Sequence, residues 1–249
     1  MGGMIRMNVK ELVKKASSLD DSESQFELGL LNYNGKEIKQ DFSRAVMWFK
    51  KASIQNHPDA NYYLYLCYKY GYGVDIDIKI SNSYLLKAAN LGNIDAMKKL
   101  AIMYYLGQDI KQDYKKSYSL FSKLANKGDI NAMYNAGCML KDGIGVTKNV
   151  AKAFSYFYEA TSKGHASAIK ELGSCYENGY GTNKNDYLAF MCYENSCRLG
   201  NNDALVDIAR CKHDGIGTSI DKKEAMSLLK NAIKLGIDDA RKYYDLYRK

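Results

Sequence analysis

Few residues in this chain have the types and spacing that chemistry asks for. The side chains that titrate near neutral pH are three histidines, His57, His165 and His213, and six cysteines. Cys211 and His213 are two apart, a spacing that a helix turns to different sides, so they do not read as a zinc pair. Gly143-Ile144-Gly145 lacks the lysine and hydroxyl residue of a phosphate loop and follows a helical pattern rather than a strand. Asp75-Ile76-Asp77 lacks the spaced oxygens and closing glutamate of a calcium loop. His57 and His165 occupy matching turn regions, which predicts surface positions. A Cys–His nucleophile pair stays open, because such partners meet only in space. No catalytic residue, metal or cofactor is assigned, and the chain is not expected to be an enzyme.

The elements that would position any site repeat along the chain. Gly35, Gly71, Gly107, Gly143, Gly179 and Gly215 are each 36 residues apart. Ala60, Ala96, Ala132, Ala168, Ala204 and Ala240 keep the same interval, with Ser24 in the first repeat. So do Gly92, Gly128, Gly164, Gly200 and Gly236, with Asn56 at the start. Each column has a physical task. The first glycines fit left-handed C-caps, where a Cβ would cost about 1–2 kcal/mol. The alanines fit helices that cross closely. Asp41, Asp77, Asp113, Asn149, Asn185 and Asp221 fit N-caps of a second helix. The last glycines turn the chain into the next hairpin. A companion glycine two residues after the first column is replaced by Glu37 and Asp109, which leaves those two turns undetermined.

Six repeats follow, at 22–57, 58–93, 94–129, 130–165, 166–201 and 202–237. A capping half-repeat is expected at 7–20 and a capping helix at 238–249, making one repeat domain. No run approaches the roughly 20 apolar residues of a membrane span. The first ten residues lack a secretory pattern, and Gly2 lacks the hydroxyl residue that myristoylation favours. Cys67, Cys175 and Cys211 share one apolar slot, where cysteine acts as a small hydrophobe. No cysteine pair recurs from repeat to repeat, so a reducing, cytoplasmic setting is expected. The net charge of +8 raises a basic nucleic-acid-binding solenoid as an alternative, but the lysines recur at fixed positions of second helices, as on a solvated face. A membrane partner is not expected.

The pattern of Ala168, Leu172, Gly173, Tyr176, Gly179 and Gly181, with Lys152, Ala153, Tyr156, Ala160 and Gly164, resembles the Sel1-like repeat, a relative of the tetratricopeptide repeat. That resemblance implies an all-α, right-handed α/α superhelix (a solenoid) of helix-turn-helix repeats. It also implies adaptor or scaffold roles, among them pathogen effectors, regulators and immunity proteins. Cysteine-rich relatives with penicillin-binding or β-lactamase-like activity form a remoter alternative.

In such a superhelix the first helices line the concave wall. Their variable columns fall on one stripe, i, i+4 and i+7. The resulting candidate contacts for a protein or peptide partner are Phe26, Tyr33, Tyr62, Leu66, Lys69, Lys98, Tyr105, Tyr134 and Lys141. Tyr62, Tyr105 and Tyr134 are the expected anchors, since aromatic side chains often dominate interface energy. A monomer is expected.

Overall fold

The computed structural model describes residues 9–18 and 20–248. Among them are fourteen α-helices and no strand, so the chain is all-α. The secretory and myristoylation expectations, and the outermost residues of the caps, lie outside the described residues. α1 (Val9–Ser18) is followed by six hairpins, each a first and a second helix. They pair α2 (Ser22–Asn34) with α3 (Phe42–Ile54), α4 (Pro58–Tyr70) with α5 (Ile78–Asn90), and α6 (Ile94–Leu106) with α7 (Tyr114–Asn126). The later hairpins pair α8 (Ile130–Asp142) with α9 (Val150–Ser162), α10 (Ala166–Asn178) with α11 (Asp186–Arg198), and α12 (Ala204–Asp214) with α13 (Lys222–Lys234). α14 (Ala240–Tyr247) ends the series. Two compact units result, residues 1–120 and 121–249, and the divide falls within α7.

Local chemistry sets the helix ends. Asp41, Asp77, Asp113, Asn149, Asn185 and Asp221 each accept the N–H three residues on at 2.8–3.0 Å. These are the N-caps that second helices need for their orphan donors. First helices end on Gly35, Gly71, Gly107, Gly143, Gly179 and Gly215, at φ between 67° and 76°. Glu37 and Asp109 keep the left-handed conformation of the glycines they replace, at φ 66° and 60°. The turn geometry therefore survives the change of residue. Asp109 is held there by Lys69, whose Nζ lies 2.9 Å from its carboxylate. Asn82 also donates to its carbonyl at 2.9 Å.

The cores follow from matched volumes. Ala60, Ala96, Ala168, Ala204 and Ala240 have no exposed surface. A Cβ on Gly137 would lie 2.6 Å from the Phe157 ring, and one on Gly173 would lie 2.8 Å from Tyr193. The second repeat is an exception: Tyr65 stands in the glycine column, beside Tyr62, and Leu85 in the aromatic one, two large side chains that are both buried. Ala209 and Leu229 fill the same two slots in the last full repeat, again with no exposed surface. That exchange of glycine and phenylalanine for alanine and leucine keeps the summed volume of the pair, as dense packing favours. At one end Leu12 and Ala16 of α1 pack with Leu28 and against Trp48. At the other, Tyr247 of α14 stacks on His213 at 3.6 Å and donates to Asp214 at 3.0 Å.

Candidate functional site

The first helices begin on a second set of caps. Ser24 N–H donates to Asp21, Ala60 N–H to His57 Nδ1, Ala96 N–H to Asn93, Ala132 N–H to Asp129 and Ala168 N–H to His165 Nδ1. His57 and His165 are therefore not surface turn residues. His57 is buried and His165 is half-buried, because each must sit over a helix start to cap it. Accepting through Nδ1 fixes the proton on Nε2. From there each ring bonds the preceding repeat, His57 to Glu23 at 3.1 Å and His165 to Asn131 at 3.1 Å. Asn93 makes the same rung to Asp59 at 2.5 Å. Each histidine also lies over an aromatic ring of the stripe, His57 on Phe26 at 4.5 Å and His165 on Tyr134 at 4.9 Å.

These lids decide what the stripe exposes. In the N-terminal unit Phe26 is buried between His57, Phe49 and Tyr63. Tyr33 is half-buried and meets Phe42, Tyr63 and Tyr72 edge-on, and burial pushes its phenol up to about 12. Tyr62 has Asn93, not a histidine, 31 residues downstream, so no imidazole stacks on it. Its ring rests against Tyr63 and Tyr65, and burial, then the Asp95 carboxylate, raises its phenol. Leu66 and Lys98 are half-buried. Lys69 pairs with Asp109 and lies over Tyr65. Tyr105 and its stripe neighbour Ile102 are exposed, at 37% and 44%, with Tyr105 edge-on to Tyr114.

In the C-terminal unit the stripe is engaged with its own side chains. Tyr134 lies beneath His165 and beside Phe157, and burial holds its phenol far above the ordinary value. Lys141 lies 2.6 Å from Glu171. Burial pulls that ammonium down, but the Glu171 hydrogen bond and the charges of Glu171 and Asp142 together outweigh it, and the amine titrates above the usual lysine range. Arg210 grips Glu177 through two bonds of 2.5 and 2.6 Å, and Tyr193 donates to the same carboxylate at 2.7 Å. Lys170 lies 3.4 Å from Asp207, which burial shifts upward despite the lysine and Arg210. The acids Glu171 and Asp207 escape sequence reading because they occupy the column beside the stripe.

Reactive chemistry is muted at these positions. Burial pushes the thiols of Cys67, Cys138 and Cys211 up to about 12, and those of Cys175 and Cys192 up to about 11. Thiols titrating there are not nucleophilic thiolates near neutral pH. Among the described residues no three His, Cys, Asp or Glu side chains gather as a metal site requires.

Sel1 repeats match residues 22–57, 58–93, 94–129, 130–165, 166–201 and 202–237. No curated protein sequence matches the chain significantly. Among solved structures, the protective antigen c5321 of uropathogenic Escherichia coli, which displays an SLR fold, is 28% identical with a TM-score of 0.73. That match covers 96% of this chain and 51% of the antigen, so the chain spans about half the antigen's length. A Sel1 repeat protein from Oxalobacter formigenes is also 28% identical, with a TM-score of 0.61, covering 92% of this chain and 100% of that one. With six repeat matches spanning most of its length, the chain belongs to the Sel1 repeat family.

Proposed function

We propose that the chain is a non-catalytic interaction scaffold, and that it holds a peptide or helix of a partner protein on the first-helix wall of the N-terminal unit. One observation carries this reading. Of the three aromatic rings in the first stripe column, Phe26 and Tyr134 lie beneath histidine rings, whereas Tyr62 has no such lid and is followed on its stripe by Leu66 and, one repeat on, by exposed Ile102 and Tyr105. Aromatic and aliphatic side chains beside polar ones suit an amphipathic segment. The ion-paired wall of the C-terminal unit is a poorer host, since a partner there would have to replace buried charge pairs. Raised thiol pKa values and histidines committed to caps support the non-catalytic part.

The test compares proteins captured from lysate by the native chain and by its Tyr62→Ala and Tyr105→Ala variants. Each variant should lose a specific partner by more than about 1 kcal/mol while its melting temperature moves little. Tyr134→Ala should instead lower the melting temperature. A captured set that is the same for all three chains, or unfolding by Tyr62→Ala, would overturn the reading.

A further inference from the structure

The second helices of the N-terminal unit present one sign of charge to solvent. On α3 the outward positions hold Arg44, Met47, Lys50, Lys51 and Ile54. On α5 they hold Lys79, Ile80, Ser83 and Leu86, with half-buried Lys87 at their edge. Lys14 and Lys15 on α1, and Lys115 and Lys116 on α7, continue the stripe. These nine cations, of which Lys15 and Lys87 are half-buried, outnumber the carboxylates of the same helices, Glu11 on α1 and the caps Asp41, Asp77 and Asp113. The helices lie side by side: Trp48 of α3 packs on Leu12 and Ala16 of α1, and Lys87 of α5 donates to the Ser53 carbonyl of α3 at 2.6 Å. The capping carboxylates Asp41 and Asp113 answer only Arg44 and Lys116, each at 3.4 Å. By contrast, the outward positions of α9, α11 and α13 mix Lys152, Lys223 and Lys230 with Glu159, Glu194 and Glu224.

The uncharged side chains between the cations select the partner. Ile54 is 80% exposed, and Met47, Ile80 and Leu86 are 40–44% exposed. A nucleic-acid backbone offers nothing to such aliphatics. Trp48 is engaged with α1, Tyr84 with Tyr68 at 5.7 Å, and the exposed Tyr114 ring is edge-on to Tyr105, so none lies open as a platform for stacked bases. An anionic lipid surface meets both features: lysines attract its headgroups as point charges, and aliphatic side chains enter the acyl boundary. No described helix is long and apolar enough to cross a membrane. We infer that the solvent face of α1, α3, α5 and α7 attaches the protein peripherally to anionic membranes. This departs from the expectation of no membrane partner, which rested on the absence of a spanning run. It uses a different face from the partner wall and does not depend on it.

Co-sedimentation with vesicles tests the inference. The full chain should bind phosphatidylcholine vesicles containing roughly one-third phosphatidylserine, not pure phosphatidylcholine, and release as salt rises toward about 0.5 M. Removing Lys14, Lys51, Lys79 and Lys115 together as serine should weaken binding several hundred-fold, at about fivefold per lysine. Removing Lys152, Lys223, Lys230 and Lys234 as serine deletes the same charge and should leave binding within about twofold. Met47→Ser with Ile54→Ser should weaken vesicle binding and leave any duplex DNA binding unchanged. Tyr62→Ala should not alter vesicle binding, which separates this inference from the partner reading. Absence of anionic-vesicle binding, equal loss in both lysine sets, or duplex DNA bound as tightly as vesicles with the apolar variant inert would each overturn it.

Discussion

Gly137 and Phe157 show how a single position can be ruled by its neighbour. Alanine is favoured over glycine in a helix interior by about 0.8–1.0 kcal/mol. A Cβ there would lie 2.6 Å from the Phe157 ring, and overpacking a dense core costs about 1–3 kcal/mol. The second effect is larger, so Gly137→Ala should destabilise by about 1 kcal/mol net. Phe157→Leu alone leaves a void and should also cost about 1 kcal/mol. Together the changes recreate the buried Ala209 and Leu229 pairing of another repeat. The double variant should therefore be more stable than the summed single effects by at least about 1 kcal/mol. Denaturant melts of the four proteins supply the cycle, and simple additivity would refute the size-matching account. Alanine and glycine columns announce close packing in the sequence. Which partner is large does not show there, because Tyr65 and Leu85 put large side chains in both slots without shifting the period.

At the scale of the helix, the starts explain most of what sequence reading missed. Ser, Thr, Asp and Asn announce an N-cap, so the six caps of the second helices are legible. The first-helix column runs Asp21, His57, Asn93, Asp129, His165, and histidine hides its role because it rarely serves there. The same residues bridge to the preceding repeat and cover Phe26 and Tyr134, so the accessibility of the stripe was concealed with them. A pH dependence follows. Burial holds the His165 imidazole below its ordinary value of 6.5, and protonation would remove the acceptor that caps α10. The folded state thus binds this proton less readily than the unfolded chain. Its stabilisation is complete above the unfolded pKa of about 6.5 and is lost as pH falls through the lower folded value. His165→Asn keeps a capping oxygen, as Asn93 does, without titrating. Its stability should fall less steeply between pH 7 and 5 than the native protein's, measured by urea midpoints. Identical slopes would assign the dependence to another group.

Across the whole chain, stability should accrue repeat by repeat, because each hairpin shelters its apolar face only on the next. That idea makes a deletion a sharper test than a substitution. Removing residues 166–201 excises one period within the C-terminal unit and places Asp207 thirty residues after Lys141. Glu171 stands at that spacing in the native chain, where it pairs with Lys141 at 2.6 Å. Asp207 can therefore take over the Lys141 pair. Arg210 loses Glu177 and retains only Asp207, which lies 3.7 Å away in the native chain. The shortened protein should fold, keep its helical content per residue and melt cooperatively at a lower temperature. Removing residues 166–183 instead deletes half a period, joins a second helix to another second helix, and puts the alanine columns on the two sides of the junction half a period out of register. That chain should fail to fold. Circular dichroism melts of the two deletions decide the matter: equal unfolding of both would show that stability is shared over longer range than adjacent repeats. Equal tolerance of both would show that the period does not govern packing at all.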